Sequence, residues 1–136
     1  MKRTVVWLAV LVTLACALSP ALAEAEPVDL DLSIMPASVA YAQAIAFQRD
    51  PDAYLGQTLR IAGTFNYSEA RGRGVVIIAD TSGCCETSLD FACAEALCYP
   101  EDYPDLYSRF VVVGRLELIE NGEGVCYLAD AVMERL

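Results

Sequence analysis

The sequence predicts a mainly β domain in which five strands close into a small barrel behind one leading helix. Three observations predict it. Beyond residue 56 the apolar residues gather into five runs parted by Gly, Pro, Asn and Ser, as strands and their turns do. Two of these runs, Leu59-Arg60-Ile61-Ala62-Gly63 and Val111-Val112-Val113-Gly114, carry a glycine midway along a hydrophobic strand. Glycine weakens a strand, so there it marks a bulge or the sharp bend of a barrel corner. The third observation is spacing: three strands on short turns, a longer link, then two strands in a hairpin. That is the strand plan of a five-stranded OB-type barrel, here with a short helical turn between strands three and four.

The chain opens on an export signal. Lys2 and Arg3 are followed by the apolar stretch Val5 to Ala17, then by Ser19-Pro20 and the small-x-small site Ala21-Leu22-Ala23. This order reads as a cleaved signal peptide over residues 1–23, with Glu24 first in the mature chain. The apolar run is shorter than the roughly 20 residues of a membrane-spanning helix, so no membrane span is expected. Cys16 offers an alternative, lipid attachment, which would anchor the chain to a membrane. Thr13 stands where that pattern wants a Leu-like residue. Either route places the domain outside the cytoplasm, in the periplasm, secreted or at the cell surface.

Residues 24–36 read as an acidic linker, and residues 37–136 as the barrel domain with its leading helix. The helix spans Ala37 to Arg49, rich in Ala, with Ser38 as a suitable N-cap and Asp50-Pro51 ending it. Strands are expected at Leu59 to Tyr67, Gly74 to Asp80, Glu86 to Ala92, Arg109 to Ile119 and Val125 to Glu134. The link Cys93 to Ser108 holds two prolines and a helical turn at Ala94-Glu95-Ala96-Leu97. Asn121-Gly122 is a hairpin turn.

Composition then narrows the chemistry. Without residues 1–23 the chain keeps 113 residues, seven arginines and all nineteen acidic residues, a net charge of −12, with no Lys, Trp or His. Such a surface repels phosphate backbones and anionic lipid, so no nucleic-acid binding is expected. Without His the commonest general base and metal ligand are missing, and without Lys there is no Schiff base. No pair of carboxylates stands out from the general acidity. The expectation is a non-catalytic module with no cofactor.

Five thiols follow the signal: Cys84, Cys85, Cys93, Cys98 and Cys126. In an oxidising compartment disulfides are the default, and an odd number leaves one over. Cys93 and Cys98 suit a short bridge that ties down the link. Cys84 or Cys85 suits a bridge to Cys126 in the last strand. The alternative is a soft-metal site for Zn²⁺ or Cu⁺ in which Cys84, Cys85 and Cys126 converge. Redox exchange is disfavoured because Asp80 and Glu86 flank the pair, and nearby carboxylates raise a thiol's pKa.

Other motifs have plainer readings. Arg71-Gly72-Arg73-Gly74 reads as a hairpin turn with two solvated arginines before it reads as an anion-binding loop. Glu101-Asp102-Tyr103-Pro104-Asp105 lacks the oxygen-ligand spacing of a calcium loop. Tyr99, Tyr103 and Tyr107 recur every four residues, but Pro100 and Pro104 break any helix that would align them. They are expected to pack the link on the barrel, with a ligand face as the alternative.

With Tyr54-Leu55-Gly56-Gln57, Ile61-Ala62-Gly63-Thr64-Phe65, Cys84-Cys85, Tyr99-Pro100 and Cys126-Tyr127-Leu128 in place, the chain resembles the small OB-fold-like secreted proteins and lipoproteins of bacteria that carry a vicinal Cys-Cys after the second strand. The likeness covers roughly residues 37–133. It implies the barrel and the export, but no activity. Cys93 and Cys98 stand outside it. The expected function is an extracytoplasmic binding module for a protein partner or a small uncharged or cationic ligand, with the thiolate metal protein as the alternative.

Overall fold

The computed structural model describes residues 27–119 and 124–136. The expected signal segment with Cys16, the Asn121-Gly122 turn and the first residues of the expected linker lie outside them. Strand β1 is Leu30–Asp31, helix α1 Ala37–Arg49, β2 Thr58–Ser68, β3 Arg73–Ala79, β4 Glu86–Cys93, β5 Arg109–Leu118 and β6 Cys126–Arg135.

Strand β2 organises the barrel because its two halves pair with different neighbours. Thr58 to Thr64 face β5, while Thr64 to Ser68 face β3. The handover falls beside Gly63. A Cβ there would stand 2.5 Å from the Ile77 carbonyl oxygen and 2.6 Å from Val76 Cγ2, so only glycine lets the strands approach this closely. The order runs β2-β3-β4-β6-β5 and returns to β2, with β4 and β6 parallel and the other barrel pairs antiparallel. The second predicted corner, Gly114, lies where the β5–β6 register slips between Val113 and Arg115. Both glycines mark irregularities of the barrel wall, as their sequence positions predict.

Alternation along the strands turns one side chain in two inward. Leu59, Ile61, Phe65, Val76, Phe91, Phe110, Val112, Leu116 and Leu128 are fully buried. Phe65, Phe91 and Phe110 meet with ring centroids 5.5 to 6.3 Å apart. Each such side chain contributes about 1.5–3 kcal/mol on leaving water. The Phe91 ring lies over Gly74 across the β3–β4 pair.

Helix α1 spans the predicted residues. Its first hydrogen bonds run from the Val39 and Ala40 N–H groups to the Pro36 carbonyl. Pro36 therefore takes the capping position, and the expected Ser38 cap is not used. Ala40, Ala44 and Phe47 form the buried stripe, at the four- and three-residue steps of one helical face. Small alanines let the helix approach β3 and β4 closely, while Phe47 meets Tyr54 edge-on at 4.9 Å. Asp50 takes an extended conformation (φ −140°, ψ 70°) ahead of Pro51, and the helix stops there.

Three further expectations are corrected. The stretch through residue 36, read as a linker, is tied to the barrel from Asp29 onward. The Asp29 N–H donates to the Thr58 carbonyl and its carboxylate accepts from the Thr58 N–H, both at 2.8 Å. Strand β1 lies parallel to β2, and Leu32 is in the core. The helical turn expected at Ala94–Leu97 is absent. The four residues of that turn, set in the short stretch between the end of β4 at Cys93 and Pro100, are too few to offset the cost of helix nucleation. The link is held by aromatic packing instead: Tyr99 stacks on Tyr67 at 3.8 Å and Tyr103 on Phe65 at 5.8 Å. Tyr107 departs from the expected packing: it is exposed, with φ 64°. Among the described residues no helix is long and apolar enough to cross a membrane.

Candidate functional site

Two places on the surface gather polar groups in a way the fold alone does not require. The first is a groove of about 820 Å³ along β4. It is lined by Glu86, Thr87, Ser88 and Asp90, by Arg71 of the β2–β3 turn, and by Val125 and Cys126 where β6 begins. Gln48 of α1 reaches in as well. Its side-chain amide donates to Thr87 Oγ1 at 2.7 Å and to the Ser88 carbonyl at 3.0 Å, locking the helix end to the strand.

Arg71 grips Asp90 with two hydrogen bonds, Nε to Oδ2 at 2.6 Å and Nη2 to Oδ1 at 2.9 Å. The carboxylate is nearly buried while the guanidinium is half exposed. A two-pronged guanidinium–carboxylate pair is the strongest geometry for such a contact, and it fixes the turn against β4. Arg73 is also committed, its guanidinium 4.7 Å from the centre of the Tyr127 ring. Arg71 is an exposed turn residue, as read, but it and Arg73 each also hold a partner. Neither is a spare cation for an anionic ligand.

The groove contains one thiol, Cys126. Its Sγ is 3.6 Å from the Phe47 carbonyl oxygen, and burial pushes its pKa up. A buried thiol held in its neutral form is a poor nucleophile. The groove can bind and orient a ligand through hydroxyls, carbonyls and carboxylates.

The second place is the turn between β3 and β4. The Asp80 N–H donates to the Cys85 carbonyl at 2.9 Å and the Gly83 N–H to the Asp80 carbonyl at 3.1 Å. Gly83 has φ +69°, a conformation that side chains with a Cβ adopt at a cost. This tight reversal folds the carboxylate back over the two cysteines. Asp80, Cys84 and Cys85 present one oxygen and two sulfurs within 4.8 Å of one another. The Ser82 hydroxyl sits among them, 2.8 and 2.9 Å from the Asp80 oxygens and 2.9 Å from Cys84 Sγ. The two sulfurs are 3.6 Å apart.

The electrostatics follow from these contacts. The Ser82 hydrogen bond, aided by backbone N–H groups, holds the Asp80 carboxyl below its usual range. The Cys85 thiol is pushed up, first by its contact with Cys84 and then by the Asp80 charge. The turn is thus an anionic, oxygen-and-sulfur corner exposed to solvent.

Of the cysteines singled out in the sequence, the structure brings Cys84 and Cys85 together and leaves Cys126 in the core. The expected bridges are not formed, and all five described cysteines are free. Cys93 is half-buried beside the Tyr103 phenol, and burial raises both, Tyr103 to about 12. Cys98 is exposed, its N–H donating to Asp102 Oδ2 at 2.8 Å. Asp80 is the residue that sequence reasoning treated only as a neighbour. Asp80-Thr81-Ser82-Gly83 is a turn signature, and it was the available hint that the carboxylate folds over the next residues.

No protein-family model and no curated protein matches the chain. The groove and the thiol turn therefore stand on their own geometry. They adjoin, since Glu86 of the groove lining follows Cys85 directly in the chain.

Proposed function

We propose that this chain is an extracytoplasmic, non-catalytic binding module of OB type, and that its ligand lies in the groove along β4. The groove of about 820 Å³ between the β2–β3 turn and the start of β6 carries this reading. Binding on the face of a closed barrel, between two of its turns, is how OB-type barrels hold elongated ligands. The strand order, with one strand shared between two neighbours, supports the OB plan, as does the resemblance to small exported bacterial proteins of that kind.

The ligand class follows from charge. Arg71 is spent on Asp90 and Glu86 is exposed, within a chain whose formal charge is −10. An anionic ligand meets repulsion here, while an uncharged or cationic one, including a basic protein segment, meets hydroxyls, carbonyls and carboxylates. The resemblance and the signal-like first residues support an extracytoplasmic setting.

The test uses isotope-labelled protein titrated separately with a lysine-rich peptide, a neutral oligosaccharide and a thymidine oligonucleotide, following backbone amide signals. The proposal expects the peptide or the oligosaccharide to move the amides of residues 86–90 and 124–126. It expects Ser88→Trp, which fills the groove, to abolish that response. Binding of the oligonucleotide at physiological salt, or shifts from peptide and sugar that ignore those residues, would refute the assignment.

A further inference from the structure

We infer that Asp80, Cys84 and Cys85 form a surface zinc site, distinct from the β4 groove and independent of its proposed role. The distance between the sulfurs carries the argument. Two thiolates bound to one tetrahedral zinc at about 2.3 Å each lie about 3.8 Å apart. Cys84 and Cys85 already hold their sulfurs at 3.6 Å, so the two thiolates can share the ion with little movement, and the Asp80 oxygen, within 4.8 Å of both sulfurs, closes in on it. A linear two-thiolate ion, a geometry open to Cu⁺, puts its sulfurs on opposite sides of the metal at twice the bond length, well beyond 3.6 Å. The third donor, the Asp80 carboxylate, is hard oxygen, which suits zinc better than copper(I).

The second observation is the support behind the ligands. Ser82 bonds the Asp80 carboxylate and touches Cys84 Sγ, the outer hydrogen bonding that orients metal ligands. The backbone bonds Asp80 N–H to Cys85 O and Gly83 N–H to Asp80 O fix the turn itself. Six residues, 80–85, thus supply the ligands and their scaffold together.

Charge is balanced through the step. With a carboxylate and two neutral thiols, the corner carries one negative charge. Zinc enters as two S–Zn bonds form, and both thiol protons leave to solvent. Three anionic ligands around a dication again carry one negative charge. Three ligands at an exposed turn leave a fourth position open to water, as in sites that exchange a ligand rather than lock the metal away. The site is therefore an accessible, exchangeable one. Cys126, buried behind α1, takes no part.

The experiment titrates reduced, full-length exported protein with zinc, and in parallel with cobalt as a spectroscopic stand-in. Calorimetry in two buffers of different ionisation enthalpy counts the protons released. The inference expects one zinc per chain, about two protons released, and a thiolate-to-cobalt charge-transfer band. Cys84→Ser and Cys85→Ser should each abolish the band. Asp80→Asn and Ser82→Ala should weaken zinc binding by about tenfold or more, while Cys126→Ala and Glu86→Gln leave it unchanged. Folding of each variant is checked by circular dichroism, and proton release from the unmodified chain gives a reading that needs no variant. Zinc binding that survives in Cys84→Ser/Cys85→Ser, or no binding while both thiols are shown to be free, overturns the site. Recovery of Cys84 and Cys85 as a mutual disulfide in the exported protein overturns it as well.

Discussion

Cys126 and the Cys84–Cys85 pair hold the same functional group in opposite circumstances. Cys126 is 4% exposed, faces the Phe47 carbonyl and belongs to the hydrophobic cluster. It acts as a small apolar side chain that closes the gap between α1 and β6. Cys84 and Cys85 stand in water on a turn fixed by backbone hydrogen bonds and a serine hydroxyl. The contrast teaches that a cysteine's role here is set by which side of the barrel wall it occupies, a matter of strand alternation and turn geometry. The interior cysteine serves packing, while the pair at the rim of β4 is open to solvent.

That separation can be broken most sharply at the core. Phe91→Ala removes a fully buried ring that packs on Phe65, Phe110 and Gly74. It should cost about 3–5 kcal/mol in urea unfolding. Equal stability of this variant and the wild type would contradict the packing described. Arg71→Ala comes next, because it leaves the nearly buried Asp90 carboxylate without its partner. A loss of about 1–2 kcal/mol is expected, the half exposure of Arg71 keeping it at the modest end. Replacing Arg71 and Asp90 together should recover part of that loss in a double-mutant cycle.

Cysteine variants sharpen the comparison itself. Cys126→Ser buries a hydroxyl where a thiol packed and should cost about 1–3 kcal/mol. Cys84→Ser and Cys85→Ser on the exposed turn should stay within about 0.5 kcal/mol of wild type. The smallest effect is one of pH. Burial raises the folded-state pKa of Cys126 above its usual value, so the unfolded chain loses that proton first as pH rises. Stability from this group is complete below the ordinary thiol value of 9.0 and falls as pH rises through it. Thermal unfolding followed from pH 7 to pH 10 should show a slightly steeper decline in wild type than in Cys126→Ala.

The five barrel strands and the helix were legible because their signals are local. Runs such as Gly74-Val75-Val76-Ile77-Ile78 favour strand through their β-branched residues, and Asp50-Pro51 stops a helix wherever it stands. Gly63 and Gly114 were legible as corners because little else explains glycine inside a hydrophobic strand. Strand β1 was not legible: it is two residues long, and Leu30 and Leu32 become core only through pairing with β2. The helical turn at Ala94–Leu97 failed for the converse reason, since local propensity lost to the anchoring of Tyr99 and Tyr103 on the barrel. At the thiol turn the adjacency of Cys84 and Cys85 was plain, but their partner was not. Cys126 looked available because nothing in its own sequence reveals that α1 covers it. Asp80 looked like a hindrance because charge was weighed without the turn that aims it.

The most direct measurement is site-resolved alkylation of the folded, reduced protein, with peptide mass mapping of each cysteine over time. Cys84 and Cys85 should be modified in the folded protein without unfolding, Cys85 more slowly than an unfolded-chain thiol because its contact with Cys84 and the Asp80 charge raise its pKa, while Cys126 is modified only on the timescale of unfolding. Modification of Cys126 as fast as Cys84 and Cys85 would contradict the division between a buried structural thiol and an exposed thiol pair at the rim of β4.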